Sequence, residues 1–225
     1  MASPTEALGK LRSDPRNFLR QYFLMTVRAM GQSGPTPYWL GGTGYVDLEG
    51  RPVYNRTARP GRVLGTLRMQ ESKNFKFSPN RNDLIGNPAQ LMVWHVDVTP
   101  SASIVHDQVP ALAVSRNGGP DIMVTTLLNG CTFACEATPH AVLMAHVQPT
   151  GGTTAPQLET YIMNRGALVG GAGARRAFGG GRCYTAMSSD VTIVGVRAGQ
   201  QWRIFAQIHP RNEKETSEVV EFFTG

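Results

Sequence analysis

The sequence predicts an α+β fold: a mixed β-sandwich core with an N-terminal helix and flanking helices and long loops. Three observations carry this. A capped amphipathic stretch stands near the start, short apolar runs separated by turn residues fill the chain after residue 88, and few later segments repeat at helical spacing. With 225 residues, 41% of them hydrophobic, the chain has enough apolar mass to bury a core and too much for a mostly disordered protein. It reads as one domain over residues 1–225, with a helix over about 14–30 and a β-rich region over about 88–210 that holds the candidate chemistry.

The elements follow in order. Ser13 or Asp14 caps the first helix, Pro15 suits its first turn, and Phe18, Leu19, Tyr22, Phe23, Val27 and Met30 recur at helical spacing before Gly31 stops it. From Gly31 to about Asn87, Gly, Pro and Asn break the text into turns, short strands and long loops. Leu91 to Val98 reads as a strand, the Thr99 to Pro110 segment interrupts it, and Ala111 to Ser115 and Ile122 to Leu128 are short apolar runs bounded by turn residues. A helix is expected over Gln157 to Asn164. Val191 to Arg197 and Trp202 to Ile208 then form a hairpin around Ala198-Gly199-Gln200-Gln201, and Glu218 to Phe223 closes the chain as a strand or helix.

Composition narrows the function classes. No apolar run approaches the ~20 residues that cross a bilayer. Met1 to Glu6 lacks the basic stretch and apolar core of a general secretory signal, and three cysteines make no disulfide framework. The net charge of +6 is uneven: residues 1–81 carry thirteen basic and five acidic side chains, the remainder nine and eleven. The basic residues are mostly single arginines without interleaved aromatic residues, so a solvated surface of basic bias is favoured over a nucleic-acid partner, and the basic half only hints at an acidic partner surface.

The chemistry-bearing segment runs from Thr125 to Val147. Two extended runs, Cys131 to Glu136 and Ala141 to Val147, flank Ala137-Thr138-Pro139-His140, and Pro139 favours a turn there. If that tetrad is the loop, Glu136 pairs with Ala141 and, counting outward, Cys131 faces His146. Residues so opposed have Cβ atoms roughly 4.5–5.5 Å apart on one sheet face. That distance suits proton exchange between a thiol and an imidazole, with an imidazolium stabilising the nucleophilic thiolate. Gly130 permits unusual backbone geometry beside the sulfur, where backbone N–H groups would face a developing oxyanion. Cys131, Cys135, His140 and His146 also suggest zinc, but residues four apart on a strand are separated by ~13 Å, too far to share one ion. The same distance forbids a Cys131–Cys135 disulfide within one strand. The plain alternative is a buried cysteine that only packs.

The run Leu128-Asn129-Gly130-Cys131, with Thr125 six residues before the cysteine and His146 fifteen after it, resembles the Leu-Ser-Gly-Cys motif of bacterial glutamine-deamidase toxins. This is the family of the cytotoxic necrotizing factor catalytic domain and Burkholderia lethal factor 1. The resemblance implies a β-sandwich of mixed sheets and a cysteine-dependent protein-glutamine deamidase, with Cys131 as nucleophile, His146 as base and Thr125 beside the site. Asn129 stands where the family carries serine, and Asn129 and Gly130 are read as motif and oxyanion support. A toxin or effector, secreted or injected by a bacterium and acting in the target-cell cytoplasm, is implied too. So is a target protein bearing a reactive glutamine, with small GTPases and translation factors as family precedents. No metal or organic cofactor is called for. Two other readings stay open: a basic β-rich module binding protein or nucleic acid, and a cysteine protease or other amidase using the same pair.

Other candidates are read more plainly. His95 and Asp97 share a strand face as a second pair or as an ordinary core edge. His106 and Asp107 lie in a Pro-bounded loop, His209 is expected as a surface cap before Pro210, and Cys183 as a packing residue. Gly170 to Gly181, with Arg175 and Arg176, lacks the context of a phosphate cradle and reads as a mobile loop rimming the cleft.

Overall fold

A computed structural model describes residues 3–29, 31, 33–42, 74–171, 175–185, 189–210 and 218–225. Two helices open the chain, α1 (Pro4–Ser13) and α2 (Pro15–Gln21). Strands β1 (Phe23–Thr26), β2 (Gly34–Gly42), β3 (Asn74–Ser78), β4 (Ile85–Val96), β5 (Val98–Pro100), β6 (Gln108–Val109), β7 (Leu112–Ser115), β8 (Ile122–Thr125), β9 (Thr132–Ala137) and β10 (Ala141–Gln148) follow. Helix α3 (Ala155–Asn164) then precedes β11 (Ala167–Leu168), β12 (Arg175–Gly179), β13 (Ser189–Ala198), β14 (Gln201–Pro210) and β15 (Glu218–Thr224). Among the described residues no helix is long and apolar enough to cross a membrane.

The strands make two main sheets, both mixed, which bears out the α+β class. The larger has the order β1-β3-β2-β4-β8-β13-β14-β15, with parallel pairs β1–β3 and β4–β8. The smaller has the order β12-β9-β10-β5, and β7 pairs with β10 beside β5. Side-chain alternation sorts each strand onto two faces. Val191, Ile193, Trp202, Ile204 and Met123 of the large sheet meet Phe133, Cys135, Val142 and Met144 of the small one in a core between the sheets. Val194, Val196, Phe205 and Val124 point the other way and pack under Leu8, Leu11, Phe18 and Leu19 of α1 and α2. Ala134, Leu143 and Ala145 of the small sheet pack under Leu158 and Ile162 of α3. The order of layers is therefore helices, large sheet, small sheet, helix.

The predicted helix over 14–30 stops early. Helix α2 ends at Gln21, and Phe23–Thr26 becomes β1, paired in parallel with β3. Burial decides this: the Leu24 N–H donates to the Gln207 side-chain oxygen at 2.9 Å, and its carbonyl accepts from Thr192 Oγ1 at 2.8 Å. The same Gln207 amide donates to the carbonyls of Leu19 (2.5 Å) and Tyr22 (2.7 Å), closing the helix end against β14. Helix α1, absent from the sequence reading, carries a capping box between Ser3 and Glu6 with Pro4 at its first position. The β13–β14 hairpin forms as expected, with Ala198 paired to Gln201 around Gly199 at φ +61°. Helix α3 begins two residues before its predicted start, behind a Thr154–Gln157 capping box. Of the predicted turns and loops of residues 31–87, residues 32 and 43–73 lie outside the described residues, as does Met30 of the predicted first helix.

Candidate active site

Thr125 ends β8, beside Val96 of the parallel strand β4. Its hydroxyl donates to the Val96 carbonyl at 2.6 Å and lies 2.7 Å from His146 Nδ1 on β10 of the facing sheet. A hydroxyl has one proton, and a carbonyl only accepts, so Oγ1 must accept at its second contact. Nδ1 therefore carries the ring hydrogen, and Nε2 presents a lone pair. Thr125 and His146 are both fully buried, and Nε2 has no hydrogen-bond partner among the described residues. Burial holds the imidazole neutral, pulling its pKa down to about 3 against the opposing field of the Asp97 carboxylate. The ring is thus a neutral base of fixed tautomer, held across the sandwich by a threonine.

Cys131 is not directly opposite it. On the β9–β10 ladder His146 faces Phe133 and Met144 faces Cys135, two residues away from the predicted register. The turn explains the shift. The Thr138 N–H donates to the Ala141 carbonyl at 2.8 Å and its hydroxyl bonds both polar groups of Ala141, so only Pro139 and His140 span the loop. A shift of two leaves every side chain on its expected face. Cys131 packs in the core between the sheets with Phe133 and Cys135, the side from which His146 reaches Thr125. In an unbroken ladder such diagonal neighbours lie roughly 7–8 Å apart, beyond a thiol–imidazole hydrogen bond. Consistent with that, no sulfur reaches Nε2.

Cys131 is 7% exposed. Burial pushes its thiol pKa up, opposed by a hydrogen bond from the Asn129 backbone N–H. The resting pair is accordingly neutral thiol and neutral imidazole, not the ion pair expected from the sequence. Gly130 takes φ +86°, a conformation side chains rarely adopt, and this turns the chain into Cys131. The Tyr184 hydroxyl donates to the Cys131 carbonyl at 2.8 Å and has the Gly130 backbone N–H as a further partner. Of the two motif amides proposed to face an oxyanion, Asn129 points at the sulfur and Gly130 at Tyr184. Sequence reasoning missed Tyr184, which no periodicity singles out. It also missed Val96, whose role lies in a backbone carbonyl that no side-chain pattern encodes.

Of the remaining candidates, His95 and Asp97 flank Val96 and act electrostatically on His146, and the others sit elsewhere. His95 is buried with its ring centroid 5.8 Å from that of Tyr38. Asp97 forms a bidentate ion pair with Arg28 at 2.8 and 3.1 Å. Burial alone would raise the Asp97 pKa, and the Arg28 and Val98 hydrogen bonds outweigh it and lower it. His106 and Asp107 are the two central residues of a tight turn, both at positive φ (49° and 60°), and Asp107 accepts from the Tyr161 hydroxyl on α3. His209 is not a surface cap. It is buried, its ring centroid 3.8 Å from that of Phe23. Cys183 is half-buried, its sulfur 3.5 Å from Glu159 Oε1. The expected loop of residues 170–181 contains strand β12, paired through Arg175–Gly179 to β9; residues 172–174 lie outside the described residues.

Among the described residues no three His, Cys, Asp or Glu side chains gather to hold a metal ion. Two grooves of about 590 and 490 Å³ run along α3 and share Gln157 and Tyr161; neither is lined by Cys131 or His146. Compared with known proteins, the chain matches no family model, and no curated protein matches it.

Proposed function

We propose that this protein is a cysteine-dependent protein-glutamine deamidase, a bacterial toxin or effector that converts a glutamine of a target protein to glutamate. The observation that carries the reading is the unpartnered Nε2 lone pair of His146, held in one tautomer by Thr125 on the sheet face that also bears Cys131. An unsatisfied buried imidazole nitrogen costs stability, and this one is a neutral lone pair able to take up a thiol proton. The Leu-Asn-Gly-Cys motif supplies the substrate class.

The reaction follows from these groups. The Cys131 thiol attacks the side-chain carboxamide carbon as His146 Nε2 takes the thiol proton, so a C–S bond forms and the carbonyl becomes a tetrahedral oxyanion. The Asn129 N–H, which bonds the resting sulfur, is the donor this reading assigns to that oxyanion. Nε2–H then gives the proton to the departing nitrogen, the C–N bond breaks, and ammonia and a thioester remain. Water, losing a proton to neutral Nε2, attacks the thioester and releases glutamate and the thiol. This chemistry requires the gap between sulfur and Nε2 to close when substrate enters.

Peptide mass spectrometry of a host-cell lysate incubated with the protein tests this. A gain of about 1 Da at a defined glutamine is expected, abolished by Cys131→Ser and by His146→Ala with the fold retained. Chain cleavage at a defined bond would instead make the pair a protease. The burial of Cys131 favours a second reading, a basic β-rich binding module in which the pair only packs. That reading requires an unaltered lysate.

A further inference from the structure

The segment from Gly179 to Tyr184 leaves strand β12 and passes between the Gly130–Thr132 backbone and the start of helix α3. Three glycines allow this close passage. A Cβ on Gly179 would lie 2.8 Å from Thr132 Oγ1, one on Gly180 3.1 Å from Gly130 Cα, and one on Gly181 2.8 Å from Pro156 Cα. None of the three takes a positive φ, so close packing explains the glycines. Two anchors hold the segment down. The buried Glu159 carboxylate of α3 accepts from the Arg182 backbone N–H (2.9 Å), the Arg182 guanidinium (3.2 Å) and the Cys183 thiol (3.5 Å). Directly after them in the chain, the Tyr184 hydroxyl donates to the Cys131 carbonyl, and the Tyr184 ring stacks on Phe178 at 6.0 Å with 10° between planes.

We propose that Tyr184 is a positioning residue for Cys131, and that the Gly179–Tyr184 strap, seated on Glu159, is the cover that must lift before any substrate reaches the sulfur. The hydroxyl joins cover and nucleophile: while it holds the Cys131 carbonyl, the turn keeps its shape and the sulfur stays under the strap. Lifting the strap frees the turn in the same step. Cys131 is then presented only when something draws the strap away, which fits a target protein docking on the exposed Arg182 side of the segment.

The inference rests on the reading of Cys131 as nucleophile, but its test reads the sulfur and not the reaction. The three cysteines serve as reporters in the intact chain: Cys183 half-buried, Cys131 nearly buried, and Cys135 fully buried four residues further on in β9. Iodoacetamide labelling, followed site by site by peptide mass spectrometry, is expected to modify Cys183 first, Cys131 slowly and Cys135 not at all while the protein is folded. Tyr184→Phe removes only the hydroxyl, and Glu159→Gln only the charge of the seat. Each is expected to speed Cys131 labelling about tenfold and leave Cys135 protected, as a local opening does. The rise of the Cys131 rate with pH should also begin at lower pH in both variants, because an uncovered thiol loses less solvation on ionising. An unchanged Cys131 rate in both variants overturns the proposal, as does labelling of Cys131 and Cys135 in step, which marks general loosening. If Tyr184→Phe fails to fold, Glu159→Gln decides alone. A strap that behaves as described in a protein that deamidates nothing would refute the reaction and leave the strap standing.

Discussion

A threonine hydroxyl between a carbonyl and an imidazole can point its proton only one way, and that makes Thr125 the residue that sets what His146 can do. Nδ1–H donates to it, so the basic nitrogen is the one facing the core. Thr125→Val keeps the shape and removes the acceptor, stranding a buried Nδ1–H. The expected cost is about 1–3 kcal/mol of stability, with the loss of the single tautomer. Thr125→Ser should restore both. Nitrogen-15 NMR of the His146 ring checks this: wild type and Thr125→Ser should show a protonated Nδ1 and a bare Nε2, and a protonated Nε2 in wild type would refute the assignment. At this scale the sequence was legible for the side chains of the candidate site, since Thr125, Cys131 and His146 all stand in one recognisable spacing. It was silent where the partner is a backbone carbonyl, as at Val96, or a lone tyrosine in a glycine-rich stretch, as at Tyr184.

The elements that carry these residues were legible by face and not by register. Alternation is a local property, so the sides of β9 and β10 could be read off directly. Pairing depends on which residue closes the turn, and the Thr138 hydroxyl settled that by bonding Ala141. Helix α1 had a readable signal in its Ser3 to Glu6 box, whereas the end of α2 did not, because helical spacing continues into residues that a distant strand claims. Gln207 is the agent of that claim. One buried amide satisfies the carbonyls of Leu19 and Tyr22 and the N–H of Leu24, joining α2, β1 and β14. Gln207→Leu retains the volume and leaves three backbone groups unpaired, so a loss of about 3 kcal/mol is expected. Urea denaturation should show a lower midpoint with an unchanged slope; a loss under about 1 kcal/mol would mean that water or neighbouring groups take over those bonds.

Among the described residues, two main sheets and the helices packed on them enclose three core clusters, and buried titratable groups lie within the fold. The layered α+β character followed from run lengths and turn residues. The order of layers did not, since the parallel pairs β1–β3 and β4–β8 join segments far apart in the chain. Part of the positive charge of the N-terminal region is matched within the fold, where Arg12 pairs with Asp121 and Arg28 with Asp97. The buried histidines have a larger consequence. His146 in the inter-sheet core and His209 on β14 both have pKa values drawn down to about 3 by burial, against 6.5 in water. Below about pH 6.5 the unfolded chain therefore takes up two protons that the folded chain refuses, and stability falls as pH falls until about 3, by about 1.4 kcal/mol per pH unit for each ring. Asp97 and Glu221, whose pKa values are lowered by their arginine partners despite burial, lose stability in the same direction on protonation. Between pH 7 and pH 4.5 the two rings together remove about 5 kcal/mol, a large part of the stability of an ordinary domain. Chemical denaturation across that range should show the fall, and His209→Asn, which cannot take up the proton, should shrink it by roughly half. A stability that stays flat from pH 7 to pH 4.5 would mean that the imidazoles reach solvent or a proton acceptor in the folded state, and the fixed neutral base on which the proposed chemistry depends would be lost with them.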